Sequence, residues 1–167
     1  MQTLSSNIIT DKVTIDRLNT LHPAIRQDAF LCYEEAYKSG VPIRCVYGKR
    51  TLEEQALLYS QGRTRPGNIV TYAKPGDSIH NYALAQDFCI LTQNGKSVSW
   101  DTMADFDKDG TRDWMEVIAI FEAHNWACGI RWKRPFDPPH TQKVFGLTLT
   151  QIKKLPIDEK GFVILPK

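Results

Sequence analysis

Apolar residues recur at helical spacing in two stretches near the beginning of the chain. The first stretch starts near Thr14 and ends at the His22-Pro23 step, because proline cannot continue a helix. Pro23 also suits the first turn of a second helix, whose apolar face continues to Gly40, where a left-handed cap is favoured. The spacing predicts that this second helix is a main element of the core.

A strand, a capped helix and a long loop are predicted next. Residues 41–47 are typical of a strand, and Thr51 with Glu54 forms a T-x-x-E capping box that opens a helix running to Gly62. Residues 63–79 contain glycine and proline but few apolar residues. Long loops inside compact domains are commonly functional, so we expect one wall of a site there.

Two short strands joined by an Asn-Gly turn are predicted in the middle of the chain. They cover residues 85–91 and 97–100, and the turn favours a β-hairpin. Residues 129–132 are expected to pair with this hairpin. Such pairing would bring residues 137–140 beside residues 80–87.

The complete pattern is typical of an α+β fold, with a small antiparallel sheet flanked by helices. A further helix is predicted over residues 113–124, and the tail from Thr148 is expected to add one short helix and a strand. The length of 167 residues, with 42% hydrophobic and 24% charged residues, fits a single domain over residues 1–167. The net charge of +2 is too small to indicate a nucleic-acid partner.

The cysteines and two of the histidines have structural interpretations. The four cysteines contain no C-x-x-C pair, which favours buried reduced thiols over a zinc ribbon or a disulfide framework. His22 and His124 stand at predicted helix ends without a companion carboxylate pattern, so capping or a solvated position is expected of them. The cysteines are Cys32, Cys45, Cys89 and Cys128.

Two segments combine imidazole and carboxylate groups. His80 precedes Asp87 by seven positions, and Asp137 precedes His140 in a proline-braced turn. Three nitrogen or oxygen ligands and an open position are what a catalytic zinc ion requires. The spacing alone leaves a second interpretation open, because a histidine beside a strand is more often a hydrogen-bonding residue and H-x6-D arises by chance.

Further motifs in the same order identify a family resemblance. They are Gly48-Lys49-Arg50-Thr51, Glu54-Gln55, Leu58-Tyr59, Gln61-Gly62-Arg63-Thr64, Pro66-Gly67, the S-x-H-x6-D stretch from Ser78, Trp126, Gly129, Trp132 and the D-x-x-H stretch to His140. Over about Val46 to Gly146 the chain resembles the M15 peptidases. That family includes D-Ala-D-Ala carboxypeptidases and the L-alanyl-D-glutamate endopeptidases of phage endolysins and bacterial wall hydrolases.

The resemblance implies the roles of the metal-site residues. It implies that His80, Asp87 and His140 hold zinc and that Asp137 is the catalytic carboxylate, which takes a proton from water and passes it to the leaving amine. Without His140, the interpretation of Asp137 would be an Asx residue that stabilises the turn before proline.

The resemblance also implies a set of substrate-binding residues and reveals two departures. Arg50, with Gln55 and Ser78, is expected to bind substrate, whereas the residues alone favour a surface arginine paired with a nearby glutamate. Ala83 stands where the family usually has glycine, and Cys128 replaces one of a glycine pair. The second departure is expected to alter the shape of the cleft.

Residues 105–116 match every specified position of the D-x-[DN]-x-[DN]-G-x5-E calcium loop. An acidic surface turn is the alternative interpretation. A predicted strand and turn precede the loop in place of a helix, so the pattern predicts an isolated calcium loop inserted in an enzyme. Its expected ligands are Asp105, Asp107, Asp109, Thr111 through its carbonyl, Asp113 and Glu116.

The expected function is hydrolysis of the stem peptide of peptidoglycan by a zinc-dependent endopeptidase at the L-alanyl-D-glutamate bond. A D-Ala-D-Ala carboxypeptidase or dipeptidase and a non-catalytic wall-binding module are the alternatives. We expect a monomer, with zinc and calcium as cofactors and with no nucleic-acid partner.

Residues 1–20 lack an apolar run of signal-peptide length, and no stretch approaches the ~20 apolar residues of a membrane helix. We therefore expect no membrane insertion, synthesis in the cytoplasm without a signal peptide, and action on the wall after release or export.

Overall fold

The computed structural model describes residues 10–166. The first nine residues, on which part of the signal-peptide expectation rests, lie outside the described residues, as does Lys167. The elements are α1 Lys12–Asn19, α2 Pro23–Ser39, β1 Ile43–Tyr47, α3 Leu52–Ser60, β2 Ala85–Thr92, β3 Ser97–Ser99, α4 Asp113–Ala123, β4 Ala127–Cys128, β5 His140–Gln142 and α5 Leu149–Ile152, with 3-10 turns at Ile79–Tyr82 and Gly129–Arg131.

Both predicted ends of α2 and the predicted start of α3 are confirmed by their caps, whereas α3 ends at Ser60 and not at Gly62. The ring of His22 accepts a hydrogen bond from the backbone N–H of Ala24, and Gly40 closes α2 with a φ of 98°, in the left-handed region. Helix α3 begins with the predicted capping box, in which Thr51 and Glu54 each accept a hydrogen bond from the other's backbone N–H. Local chemistry therefore determined where these helices begin and end.

The sheet is antiparallel and has β2 at its centre. Its order is β1-β2-β5-β4, and β3 pairs with a different part of β2 to complete the predicted hairpin. The expectation that residues 129–132 pair with the hairpin is wrong, because residues 129–131 form a 3-10 turn. The two residues of β4 pair with β5 instead, and β5 pairs with β2. The segment 137–140 still arrives beside β2.

The tail after Thr148 forms the short helix α5, but the predicted strand is reduced to a single bridge between Ile157 and Val163. Helices α2 and α4 pack over the sheet and bury their apolar faces with it. Phe88 of β2 lies 4.8 Å from Trp114 and 5.7 Å from Phe121, measured between ring centroids. Burial of each such side chain stabilises the fold by roughly 1.5–3 kcal/mol.

All four cysteines are free and buried, which confirms the prediction of reduced core thiols. Burial raises the pKa of Cys128 to about 12 and that of Cys89 to about 11. Among residues 10–166, none of the helices has both the length and the hydropathy needed to cross a bilayer.

Candidate metal centre

The predicted zinc ligands converge because of the register between β2 and β5. Asp87 lies directly opposite His140 in this antiparallel pair, so the two side chains share one face of the sheet. His80 lies in the 3-10 turn that leads into β2. The structure therefore brings together three side chains, although His80 and His140 are 60 residues apart along the chain.

The three ligand atoms form a nearly equilateral triangle. His80 Nε2 lies 3.2 Å from His140 Nδ1, and each of these nitrogens lies 3.2 Å from Asp87 Oδ1. Tetrahedral zinc with bonds of about 2.0–2.1 Å places neighbouring ligand atoms roughly 3.3 Å apart. The spacing and the two-imidazole, one-carboxylate donor set therefore fit a catalytic zinc ion.

Asp87 has the electrostatics of a metal-binding carboxylate. Its Oδ1 is buried without a hydrogen-bond partner, which is costly unless a cation compensates it. Burial opposes ionisation of Asp87, but the imidazoles of His80 and His140 outweigh it and hold its pKa well below the ordinary value. Burial also disfavours charge on His140, yet the Asp87 carboxylate raises the pKa of that imidazole. A divalent cation would replace protons at this cluster.

Each ligating imidazole is held through its other nitrogen. His80 Nδ1 lies 2.9 Å from the carbonyl oxygen of Gly48, and His140 Nε2 lies 3.0 Å from Oε1 of Gln142. Since a carbonyl oxygen can only accept, His80 donates from Nδ1 and keeps Nε2 free for a metal. A side chain at Gly48 would place its Cβ 2.5 Å from the carbonyl oxygen of Arg17, so glycine is required for this packing.

Asp137 lies in the turn immediately before β5, and its backbone carbonyl accepts a hydrogen bond of 3.2 Å from His140 N–H. Its carboxylate makes no hydrogen bond with any residue in the described range, so a role as a turn-stabilising Asx residue is not supported. Burial, and after it the charge of Asp87, raises the pKa of Asp137, although the nearby imidazoles oppose the shift. A free carboxylate with a raised pKa suits proton transfer.

Gly129 determines how closely the Asp137 turn approaches. A Cβ on residue 129 would lie 2.2 Å from the Asp137 carbonyl oxygen, which is a steric clash. Only glycine, which has no Cβ, fits at this position. Cys128, the neighbouring departure from the family pattern, directs its side chain into the hydrophobic core. The Cys128 side chain itself therefore does not line the site, and its effect on the shape of the cleft stays a prediction. Ala83 has a φ of 59°, which explains why glycine suits that position.

Arg50 belongs to the metal site and not to an exposed surface. Its Nη1 donates to Oε1 of Gln55 at 3.0 Å, and its Nη2 lies 3.7 Å from Asp87 Oδ2. Its guanidinium lies 4.9 Å from the centre of the Tyr47 ring. Glu54, one of the glutamates near Arg50, is engaged in the helix cap. The interpretation as a surface ion pair is therefore wrong.

The other two predicted substrate residues differ in their surroundings. Gln55 is 0% exposed, and its amide nitrogen donates to the carbonyl oxygen of Ala73 at 2.7 Å. Gln55 therefore connects Arg50 to the long loop and offers no free surface of its own. Ser78 lies partly exposed two residues before His80, and its hydroxyl makes no hydrogen bond within residues 10–166.

The acidic segment 105–116 forms the predicted loop, and its oxygen atoms lie in two overlapping groups. Asp105, Asp107 and Asp113 each place an oxygen within 4.8 Å of the others, and Asp107, Asp109 and Glu116 do the same. Thr111 is exposed in the same loop. Glu116 Oε2 is buried without a partner. Burial, followed by repulsion from neighbouring carboxylates, raises the pKa of Glu116.

Sequence reasoning missed several contacts that support these sites. Trp114 directly follows Asp113 within the acidic segment, and its indole N–H donates to the carbonyl oxygen of Pro138 at 3.3 Å, between Asp137 and His140 in the chain. His124 was predicted to cap a helix or to be solvated, and it is the C-cap residue of α4. Its ring lies 2.7 Å from Asp28 and 3.0 Å from Glu35 of α2. A long-range contact of this kind leaves no local signal in the sequence.

The fold and the site together define a metal-dependent hydrolase of the peptidase class. The model of a family described as D-alanyl-D-alanine carboxypeptidase matches residues 72–143. The chain is 41% identical over 124 residues to the peptidoglycan L-alanyl-D-glutamate endopeptidase CwlK of Bacillus subtilis (strain 168), covering 74% of this chain and 74% of that protein. The chain belongs to the M15 peptidase family.

Two solved structures share the fold. The Serratia marcescens L-Ala D-Glu endopeptidase ChiX superposes with a TM-score of 0.52 at 20% identity, covering 86% of this chain and 96% of that chain. The LdcB LD-carboxypeptidase gives a TM-score of 0.54 at 19% identity, covering 80% of this chain and 63% of that chain. At these identities the likeness establishes the α+β architecture.

Proposed function

We propose that this protein is a zinc-dependent peptidoglycan hydrolase that cuts the L-alanyl-D-glutamate bond of the stem peptide. The observation that carries the proposal is the 3.2 Å triangle of His80, Asp87 and His140 beside the unpaired Asp137 carboxylate. The identity of 41% to an L-alanyl-D-glutamate endopeptidase supports the choice of bond.

The residues of the site have different roles in amide hydrolysis. His80, Asp87 and His140 hold the zinc ion, which when bound supplies a polarised water and stabilises developing negative charge. Asp137 accepts a proton at its carboxylate and returns it to the nitrogen of the leaving amine. Its raised pKa brings the group closer to neutral pH, where both directions of transfer are favourable.

Arg50 anchors a carboxylate of the substrate in this proposal. Gln55 occupies Nη1, Nε is buried without a hydrogen-bond partner, and Nη2 lies 3.7 Å from Asp87 Oδ2. The positive charge of the guanidinium can attract a carboxylate of the substrate, and stem peptides carry free carboxylates. The hydroxyl of Ser78 is the second free donor near the ligands.

Digestion of purified peptidoglycan tests the choice of bond. The zinc-loaded enzyme should release fragments with a new amino-terminal glutamate, identified by mass spectrometry of the muropeptides. The family description favours a D-alanyl-D-alanine carboxypeptidase as the second candidate, which would release free D-alanine instead. An Asp137→Asn variant is the matched control, and equal digestion by that variant would indicate a contaminating hydrolase.

We further propose that residues 105–116 bind calcium and that the ion promotes activity. The full motif, the two oxygen groups and the unpartnered Glu116 Oε2 support the site. Trp114 gives the physical connection, since it lies between Asp113 of the loop and the carbonyl oxygen of Pro138. Ordering of the loop by calcium would hold Trp114, and through it the turn that carries Asp137.

A calcium titration tests this coupling. Wall hydrolysis by the zinc-loaded parent should rise with calcium, while an Asp105→Ala, Asp107→Ala variant should remain at the calcium-free rate. Without a preceding helix or partner loop, we expect affinity in the weaker half of the range of ~10⁻⁹ to ~10⁻³ M. Equal parental rates with and without calcium would reject the regulation, even where calorimetry detects binding.

A further inference from the structure

His140 differs from His80 in the kind of group that holds its outer nitrogen. The partner of His80 is a backbone carbonyl, that of Gly48, at 2.9 Å. The partner of His140 is a side chain, the amide of Gln142, whose Oε1 lies 3.0 Å from Nε2. Only the second contact can be changed by substitution without moving the main chain.

The strand geometry of β5 places Gln142 for this contact. Residues two apart in a strand point to the same face, so Gln142 lies on the same side of β5 as His140. Its neighbours across the sheet are Ala85 on β2 and Ala127 on β4. Because both neighbours are alanine, no long side chain from the adjacent strands competes for the Gln142 amide.

The direction of the hydrogen bond selects the form of the imidazole. The amide oxygen of Gln142 can only accept, so Nε2 of His140 must carry the proton. Nδ1 then presents its lone pair toward His80 and Asp87, each 3.2 Å away. Without this acceptor the ring would be free to rotate or to protonate Nδ1, and either change would remove a ligand.

We propose that Gln142 is a positioning residue that fixes the orientation and the tautomer of His140 for metal binding. The inference rests on the proposed zinc site, and it adds a residue that neither the family motif nor the spacing identified. Loss of such an outer partner typically weakens metal binding by about 10- to 100-fold. Replacement of Gln142 by an apolar residue should therefore lower zinc affinity by that factor.

Zinc affinity is measured by competition with a chromophoric chelator, which does not depend on turnover. Gln142→Leu should bind zinc about 10- to 100-fold more weakly, whereas Gln142→Glu retains an acceptor and should bind at least as tightly as the parent. Gln27→Leu is the matched control, because Gln27 is exposed on α2 and makes no side-chain hydrogen bond within the described chain. Its affinity should equal that of the parent.

The outcomes separate this inference from the proposed function. Failure of the parent to bind zinc would overturn the proposed function. Parental zinc binding with undiminished affinity in Gln142→Leu would overturn the role of Gln142 alone. Circular dichroism of the metal-free variants checks folding. If Gln142→Leu does not fold, Gln142→Ala takes its place, and Gln142→Glu must still restore the affinity that Gln142→Ala loses.

Discussion

The cluster of His80, Asp87 and His140 and the acidic loop 105–116 each gather oxygen or nitrogen ligands, but they are built in opposite ways. The first cluster is largely buried and is formed by separate elements that the sheet register brings together. The acidic loop is mostly exposed and consists of consecutive residues whose side chains bond to the loop's own backbone. The sheet imposes the geometry of the first, whereas hydrogen bonds within the loop hold the second.

The electrostatics of the two regions show the same contrast. Burial opposes ionisation of Asp87, but the imidazoles of His80 and His140 offset this effect and lower its pKa. In the loop, burial and neighbouring carboxylates raise the pKa values of Asp113 and Glu116. Folding therefore favours the ionised form of Asp87 and disfavours the ionised forms of Asp113 and Glu116.

The largest expected effect comes from breaking the buried cluster. Alanine at His80, Asp87 or His140 should abolish stoichiometric zinc binding and reduce turnover by more than about 10³-fold, since the metal activates the nucleophile. Metal content is measured by atomic absorption after dialysis. Full zinc occupancy in all three single variants would show that the triangle is not the metal site.

The next largest effect distinguishes metal binding from catalysis. Asp137→Ala should retain zinc while turnover falls by roughly 10²- to 10⁴-fold, the usual contribution of general acid-base catalysis. Metal analysis and the rate of wall hydrolysis are measured on the same sample. A variant with a near-parental rate would remove Asp137 from the reaction.

A more moderate effect is expected at Gly129. The Cβ of Gly129→Ala would lie 2.2 Å from the Asp137 carbonyl oxygen, so the turn must move. We expect turnover to fall about 10-fold or more, because small misplacements of catalytic groups are costly, and stability to fall by roughly 1–3 kcal/mol. Ala127→Gly, an exposed position in β4, is the control for local change. Unaltered turnover in Gly129→Ala would contradict the close approach.

Calcium should stabilise the parent through the acidic loop. At a calcium concentration 100-fold above the dissociation constant, the free energy of unfolding should rise by about 2.7 kcal/mol. Thermal unfolding of the zinc-loaded protein with and without calcium measures the gain. The Asp105→Ala, Asp107→Ala variant should show no gain, and a similar gain in both proteins would place the ion elsewhere.

The smallest effect is a pH dependence of opposite sign in the two regions. The raised pKa of Glu116 means that its contribution to stability is lost as pH rises through the folded-state pKa in calcium-free protein. The lowered pKa of Asp87 gives a contribution that is present above its unfolded-state value and is lost on stronger acidification. Urea unfolding of the parent and of Glu116→Gln from pH 7 to pH 4 measures the difference. The parent should gain relative to the variant as pH falls.

Sequence reasoning succeeded where chemistry is local or where motifs occur in a fixed order. The caps at Thr51 and Gly40 and the hairpin turn follow from adjacent residues. The pairing of residues 129–132 was wrong because β4 contains only two residues, too few to leave a periodic pattern. The contact between Gly129 and Asp137 depends on tertiary geometry, which no spacing encodes, whereas His140 and Gln142 share a face because they lie two residues apart in β5.

The four buried thiols have a practical consequence for measuring motion. A thiol is alkylated only as the thiolate and only when the reagent can reach it. Burial excludes the reagent from Cys89 and Cys128, and their raised pKa values disfavour the thiolate, so both effects protect them. The cysteines lie in α2, β1, β2 and β4. Pulsed alkylation followed by peptide mapping would therefore time the opening of each of these elements separately, with no cysteine introduced by mutation.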